Sequence, residues 1–249
     1  MTGEVGFLGR RYGSGGVGAY EGGRLVACGA VRPVDGGSAV VGVVDPRWRG
    51  RGVGGALLDR LLAAAEGRVR VETEALTPAA EELFRSRGLR MVFAEDVFRL
   101  REAVEAVALP EGVRVEEWGE ATEEAFYQAY RASFADRPGF PGWTREEWVD
   151  WLVEDDFRPG ASLVALDGSG AAVGFVACAE GFLVQVGAVP AWRRRGLARA
   201  LAVAALERLR AGGDAEVFLD VNVNNPASAA LFRGLGFTEV GRRARFERG

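Results

Sequence analysis

Along the second half of the chain, apolar residues fall into runs that predict strands and helices in turn. "VRVEEW" from Val113 reads as a strand, and "TEEAFYQAYRASFAD" and "TREEWVDWLVEDD" read as two amphipathic helices. Three apolar stretches, "ASLVALD", "AAVGFVACA" and "FLVQVGAV", predict successive strands, and a helix is expected from Gly196 to about Arg210. "AEVFLDVNV" predicts a buried strand, and "NPASAALFRGLG" a short helix with Pro226 early and glycine at its end. "TEVGRRARFER" then reads as a closing edge strand. Strands interleaved with helices in this way predict an α/β domain.

The first half repeats the pattern. Cys28 in "RLVACG" answers to Cys178 in "GFVACA", Arg49 in "RWRGRGVG" to Arg193 in "AWRRRGLA", and Phe84 in "ELFRSRGL" to Phe232 in "ALFRGLGF". The separations, 178−28=150, 193−49=144 and 232−84=148, are nearly constant, so the chain is read as a duplication. The first copy opens on the strands "GVGAYEG" and "RLVACGAVRP" and shows no counterpart of the two helices around Tyr127 and Trp148. "EAVALPEG" supplies the boundary, giving domains at 1–108 and 109–249.

Each copy carries an apolar strand, a proline, two residues, Arg-x-x-Gly-x-Gly/Ala and an amphipathic helix. A glycine turn entering a helix leaves several backbone N–H groups aimed at one point, where an anion such as phosphate binds. The helix dipole adds ~0.3–1 kcal/mol per negative charge there, and arginines add charge-assisted hydrogen bonds. Gly196 and Ala198, like Gly52 and Gly54, permit close approach of the ligand. Pro190 predicts a kinked or edge-like end to the strand before the turn.

Composition narrows the chemistry. The chain has 249 residues, 48% hydrophobic and 27% charged, with a net charge of −4, which argues against general nucleic-acid affinity. There is no histidine and no lysine, so any acid–base work falls to carboxylates, Tyr, Cys or water, and no metal site is expected. Cys28 and Cys178 lie in apolar contexts that predict buried, reduced thiols. No apolar run reaches membrane-spanning length and no signal peptide is evident, so a cytoplasmic protein without membrane contacts is expected.

With two such turns in this order of elements, the sequence resembles the GNAT superfamily of N-acetyltransferases, in the tandem arrangement of mycothiol synthase-like proteins. The resemblance implies two GNAT-like α/β domains, each a mixed, largely antiparallel sheet flanked by helices, with the first truncated at its N-terminus. It implies acetyl-CoA as co-substrate, held in the second copy by Arg193, Arg194, Arg195, Gly196, Leu197 and Ala198, with Asn225 on the pantetheine arm. In the first copy, Arg49, Gly50, Arg51, Gly52, Val53 and Gly54 take the same places. Backbone donors to the thioester carbonyl are expected near Ala188 and Val189, and near Val44 and Asp45 in the first copy.

A small-molecule or peptide amine is the implied acceptor, and the protein is expected to be a monomer or homodimer. Where the family often has a tyrosine that protonates the leaving thiolate, this chain has Phe232 and Phe84. Glu180 is the candidate base or water-relay residue, and Asn222 a candidate for lining the site. Trp143, Trp148 and Trp151 read as helix packing, and Asp155 and Asp156 as a solvated acidic helix end. Having both acceptor-side helices, the second copy is the expected working half. The alternative is a non-catalytic acetyl-CoA-binding sensor or structural pseudoenzyme.

Overall fold

The computed structural model describes residues 16–137, 139–154 and 156–248. It divides into two compact units, residues 1–96 with 241–249, and residues 97–240. The last nine residues of the second sequence copy therefore belong to the first unit, a partition that linear repeats do not reveal.

In the first unit, β1 (Gly16–Glu21), β2 (Arg24–Val34) and β3 (Gly37–Val44) form an antiparallel meander. Helix α1 (Val53–Ala64) then crosses over to β4 (Arg68–Thr73), which runs parallel to β3, as a strand–helix–strand crossover requires. Helix α2 (Pro78–Arg85) and β5 (Arg90–Leu100) follow, β5 passing into the second unit after Asp96. The final strand, β11 (Thr238–Arg248), returns antiparallel to β4, pairing Ala244 with Thr73 through to Arg248 with Val69. Phe246 is wholly buried and meets Phe84 edge-on at 4.9 Å between ring centroids. Residues 1–15, where the first copy's missing elements would precede β1, lie outside the described residues.

The second unit holds β6 (Arg114–Glu117), α3 (Glu123–Phe134), α4 (Arg145–Leu152), β7 (Leu163–Leu166), β8 (Ala172–Ala179) and β9 (Phe182–Ala188). Helix α5 (Leu197–Ala211), β10 (Val217–Asn222) and α6 (Pro226–Arg233) complete it. Strands β6 to β9 are antiparallel neighbours, and β10 runs parallel to β9. One core packs α5 and α6 against the sheet through Leu201, Leu206, Leu219 and Phe232. Another gathers Phe126, Tyr130, Trp148 and Phe175 beneath α3 and α4.

Within that second core Trp148 is fully buried, stacks on Tyr130 at 4.7 Å and donates its indole N–H to Gln185 Oε1 at 3.1 Å. Helix α4 starts at a capping box in which Thr144 and Glu147 satisfy each other's backbone N–H. Trp148 matches the expected packing role, whereas Trp151 is 41% exposed, with its ring 5.4 Å from that of Trp143. The helix stops at Leu152, short of the expected acidic end, and Asp155 lies outside the described residues.

The placement of β11 is testable. Phe246→Ala should remove about 3–5 kcal/mol of stability in urea unfolding, as for other buried phenylalanines. A loss below about 1 kcal/mol would show that the last strand is not part of the first unit's core.

Candidate coenzyme sites

Both glycine turns have the same backbone. Gly196 sits at φ 82° and Gly52 at φ 81°, each forming the N-cap of its helix without any side-chain cap. A Cβ in this left-handed region is strained, and at either glycine it would project into open space beside the helix end. The first intrahelical bonds run from Ala200 N–H to the Gly196 carbonyl and from Ala56 N–H to the Gly52 carbonyl. The N–H groups of Leu197, Ala198 and Arg199, and of Val53, Gly54 and Gly55, precede those bonds. Neither helix has an acidic residue in its first turn, so nothing there opposes an incoming anion.

The strands beside each turn part company. β3 is in register with β4 from Gly37/Arg68 to Val41/Glu72, which leaves Gly42, Val43 and Val44 without partners on that strand. The opening is a cavity of about 710 Å³ lined by Gly42, Val44, Arg49, Gly52, Thr77 and Phe84, among others. β9 and β10 are in register at Phe182 and Phe218. Beyond that pair the edge of β9 that carries Ala188 is left for an extended ligand.

Register also decides which backbone donors face the gap. Val189 N–H donates to the Val173 carbonyl at 3.0 Å, and Asp45 N–H to the Val26 carbonyl at 2.8 Å. Those two donors are therefore occupied by the neighbouring strand. Antiparallel pairs alternate between bonded and non-bonded, so Ala188, opposite Gly174, and Val44, opposite Ala27, turn their N–H groups to the other edge. Of each expected pair, Ala188 and Val44 are the ones aimed at the gap.

The arginines divide their roles. Arg193 and Arg49 reach back to the strand end, donating from Nε to the carbonyls of Ala188 (3.4 Å) and Val44 (3.1 Å). Arg195 lies over the Trp192 ring at 5.3 Å, as Arg51 lies over Trp48 at 4.8 Å. Arg194 adopts φ 63°, the one positive value outside glycine among the described residues, where the first copy has Gly50 at φ 75°. A non-glycine residue there costs on the order of 1–2 kcal/mol. The second turn keeps a cation beside the helix end in spite of that strain. Asp45, in place of Val189, instead caps the short 3-10 turn Pro46–Trp48 by accepting from Arg47 N–H.

The other expected residues are placed as follows. Asn225 caps α6, its Oδ1 accepting from Ser228 N–H at 3.2 Å, as Thr77 caps α2. Asn222 closes β10 by accepting from Asn224 N–H at 3.0 Å. Glu180 stands at the β8–β9 turn, bound to Arg158 at 2.5 Å. From Phe182 to Ala188 is six strand rises, about 20 Å, so Glu180 cannot reach a carbonyl held at Ala188. Phe232 and Phe84 are buried in their cores. Tyr127 donates to the Trp143 carbonyl at 2.8 Å, and burial, followed by the neighbouring Tyr127, pushes the Tyr130 hydroxyl up to about 12.

With this geometry established, comparison with known proteins is direct. The family model described as Acetyltransferase (GNAT) family matches residues 117–237, and one described as Acetyltransferase (GNAT) domain matches residues 13–89. The mycothiol acetyltransferase of Thermobispora bispora is 35% identical over 235 residues, covering 88% of this chain and 78% of that protein. That of Clavibacter michiganensis subsp. michiganensis is 31% identical over 230 residues, covering 88% and 74%. Among solved structures, a GCN5-related N-acetyltransferase from Sphaerobacter thermophilus superposes with a TM-score of 0.71 at 26% identity, covering 91% of this chain and 77% of that one. A tandem GNAT protein from the clavulanic acid biosynthesis pathway shares the fold, with a TM-score of 0.63 at 16% identity and coverage of 96% and 85%.

The chain belongs to the GNAT acetyltransferase family and carries two GNAT domains in tandem. Members of the family use acetyl-CoA, which fits turns whose donors are backbone N–H groups and arginines. Among the described residues no helix is long and apolar enough to cross a membrane.

Arg194→Gly should relieve the strained φ and raise stability by about 1 kcal/mol. The same change should weaken coenzyme binding about threefold to tenfold through the lost charge. Thermal unfolding and calorimetric titration read the two effects, and a variant that binds as tightly as the parent would remove Arg194 from the site.

Proposed function

We propose that this chain transfers the acetyl group of acetyl-CoA to an amine, and that the second copy does so. Its relatives' name, mycothiol acetyltransferase, supports a mycothiol-related amine as acceptor. The observation that carries the reading is the arrangement in unit 2 of a bare helix N-terminus, a strand edge ending in the Ala188 N–H, and the acceptor-side helices α3 and α4. The first copy repeats the turn and the gap, but none of its described elements corresponds to α3 or α4.

In this reading the diphosphate of the coenzyme lies on the N–H groups of Leu197 to Arg199, with Arg194 and Arg195 beside it. The pantetheine arm follows the free edge of β9, and Ala188 N–H donates to the thioester carbonyl as negative charge develops on its oxygen. The neutral amine attacks the carbonyl carbon. A C–N bond forms, the C–S bond breaks, the sulfur leaves with the electron pair, and the surplus amine proton passes to water.

The acid–base demands fit the residues present. A thiol of pKa ~8.5 leaves as thiolate at a cost of ~1.5 units at pH 7, about 2 kcal/mol, which a site without a tyrosine acid tolerates. A lysine-like amine at pKa ~10.4 gives up ~3.4 units before it can attack, whereas an α-amino group near 8 gives up ~1. The site therefore favours a weakly basic amine.

A coenzyme site in the first copy is supported by its cavity of about 710 Å³ beside the Gly52 turn. With no acceptor-side helices among its described residues, the first copy is read as holding the coenzyme without positioning an amine.

Release of the coenzyme thiol, followed with a disulfide reagent, tests the assignment. The protein's own Cys178 and Cys28 are buried, and burial raises the pKa of both thiols, so their background is slow. Gly196→Asp sets a side chain and a like charge against the diphosphate and should lower turnover at least about a hundredfold. Gly52→Asp should act on first-copy binding, with turnover within about threefold of the parent. The reverse pattern would move the working site to the first copy.

A further inference from the structure

Arg193, the first residue of the second coenzyme turn, is committed to other parts of its unit. Nη1 donates to Asp136 Oδ2 at 2.6 Å, and Nη2 to Asp136 Oδ1 at 2.9 Å and to the Ser133 carbonyl at 3.1 Å. With Nε on the Ala188 carbonyl, one guanidinium links the turn, the end of β9 and the end of α3. The paired bonds to Asp136 are the bidentate arrangement in which arginine and carboxylate bind most strongly and directionally. The contact holds the Asp136 carboxyl below its usual range and Arg193 above its own. Ser133 lies in the last turn of α3, so the cation also satisfies an orphan carbonyl at the negative end of that helix.

Two features separate this contact from ordinary surface charge pairing. An exposed pair adds little to stability, and here the side chains are 40% and 54% exposed, so holding the fold together is a poor account of it. The strand-side bond recurs in the first copy, where Arg49 meets the Val44 carbonyl. Of the helix-side partners, Ser133 lies in the last turn of α3 and Asp136 two residues beyond its end, and α3 has no counterpart among the described residues of the first copy.

We infer that Asp136 is a positioning residue for acetyl transfer, tying the end of α3 to the coenzyme turn through Arg193, so that coenzyme binding fixes where α3 stands relative to Ala188. The inference rests on the reading of the second copy as the working half. Acetyl-CoA then orders the acceptor side before the amine arrives. Asp136 touches neither substrate, and its effect appears in the use of the amine.

The test uses the full chain with acetyl-CoA and the unacetylated amine form of mycothiol. Asp136→Asn should lower kcat/KM for the amine about tenfold, chiefly through KM, while coenzyme affinity stays within about threefold. Arg193→Gln should raise KM for the amine at least as far, the double variant should be no worse than the poorer single one, and Asp136→Glu should recover part of the loss. In amide hydrogen exchange, acetyl-CoA should slow residues 133–137 in the parent and leave them unchanged in Asp136→Asn. Additive losses in the double variant, an unchanged KM for the amine, or equal slowing in parent and variant would overturn the inference. A parent that shows the slowing but turns over no amine would instead refute the reading as acetyl transfer to this amine and leave the link between turn and helix standing.

Discussion

Everything at the coenzyme turn depends on one backbone conformation, the left-handed glycine that converts a strand into a helix without a side-chain cap. Gly52 and Gly196 hold φ near +80°, and their helices begin with three N–H groups that no residue of the turn satisfies. A serine or aspartate N-cap would fill that place with its own oxygen and stabilise the helix by ~1 kcal/mol. Leaving it bare keeps the site open for an external anion. The parallel strand on the far side of the helix stands apart from the end of the strand before the turn, and the gap between them is the proposed channel for the rest of the ligand. The arginines follow from the same constraint, since the chain brings charge to the turn from residues that precede the helix.

The two copies apply the constraint differently. The first turn is the more relaxed, with Gly50 at the second left-handed position and a roomy cavity behind it. The second accepts strain at Arg194 and uses Arg193 to grip α3. The same left-handed glycine turn stands in both, while among the described residues only the second copy has α3 and α4. The proposed division into a working copy and a coenzyme-holding copy rests on that difference, and the amine arithmetic adds to the proposal a preference for a weakly basic acceptor.

What could be read from the residues alone was local. The repeat, the strand–turn–helix order and the glycine positions all lie within short spans, and the expected elements appear close to their predicted limits. Distinctions that depend on register were not legible. Ala188 and Val189 look equivalent in sequence, and only the pairing of β8 with β9 shows that the second is occupied and the first faces the gap. Glu180 looked close to the site along the chain, yet it sits at the other end of β9 from Ala188, held by Arg158. Asp136 gave no signal because its partner is 57 residues away. The return of β11 to β4 was hidden for a similar reason, and the strand read as a closing edge lies between β4 and β5 instead.

The most direct test is a crystal structure of the full chain with coenzyme A bound. The account predicts diphosphate oxygens within hydrogen-bonding distance of the Leu197, Ala198 and Arg199 N–H groups, with the sulfur end of the pantetheine beside Ala188 in the gap between β9 and β10. Coenzyme bound in the first copy alone, with the Gly196 turn closed over its own N–H groups, would contradict it.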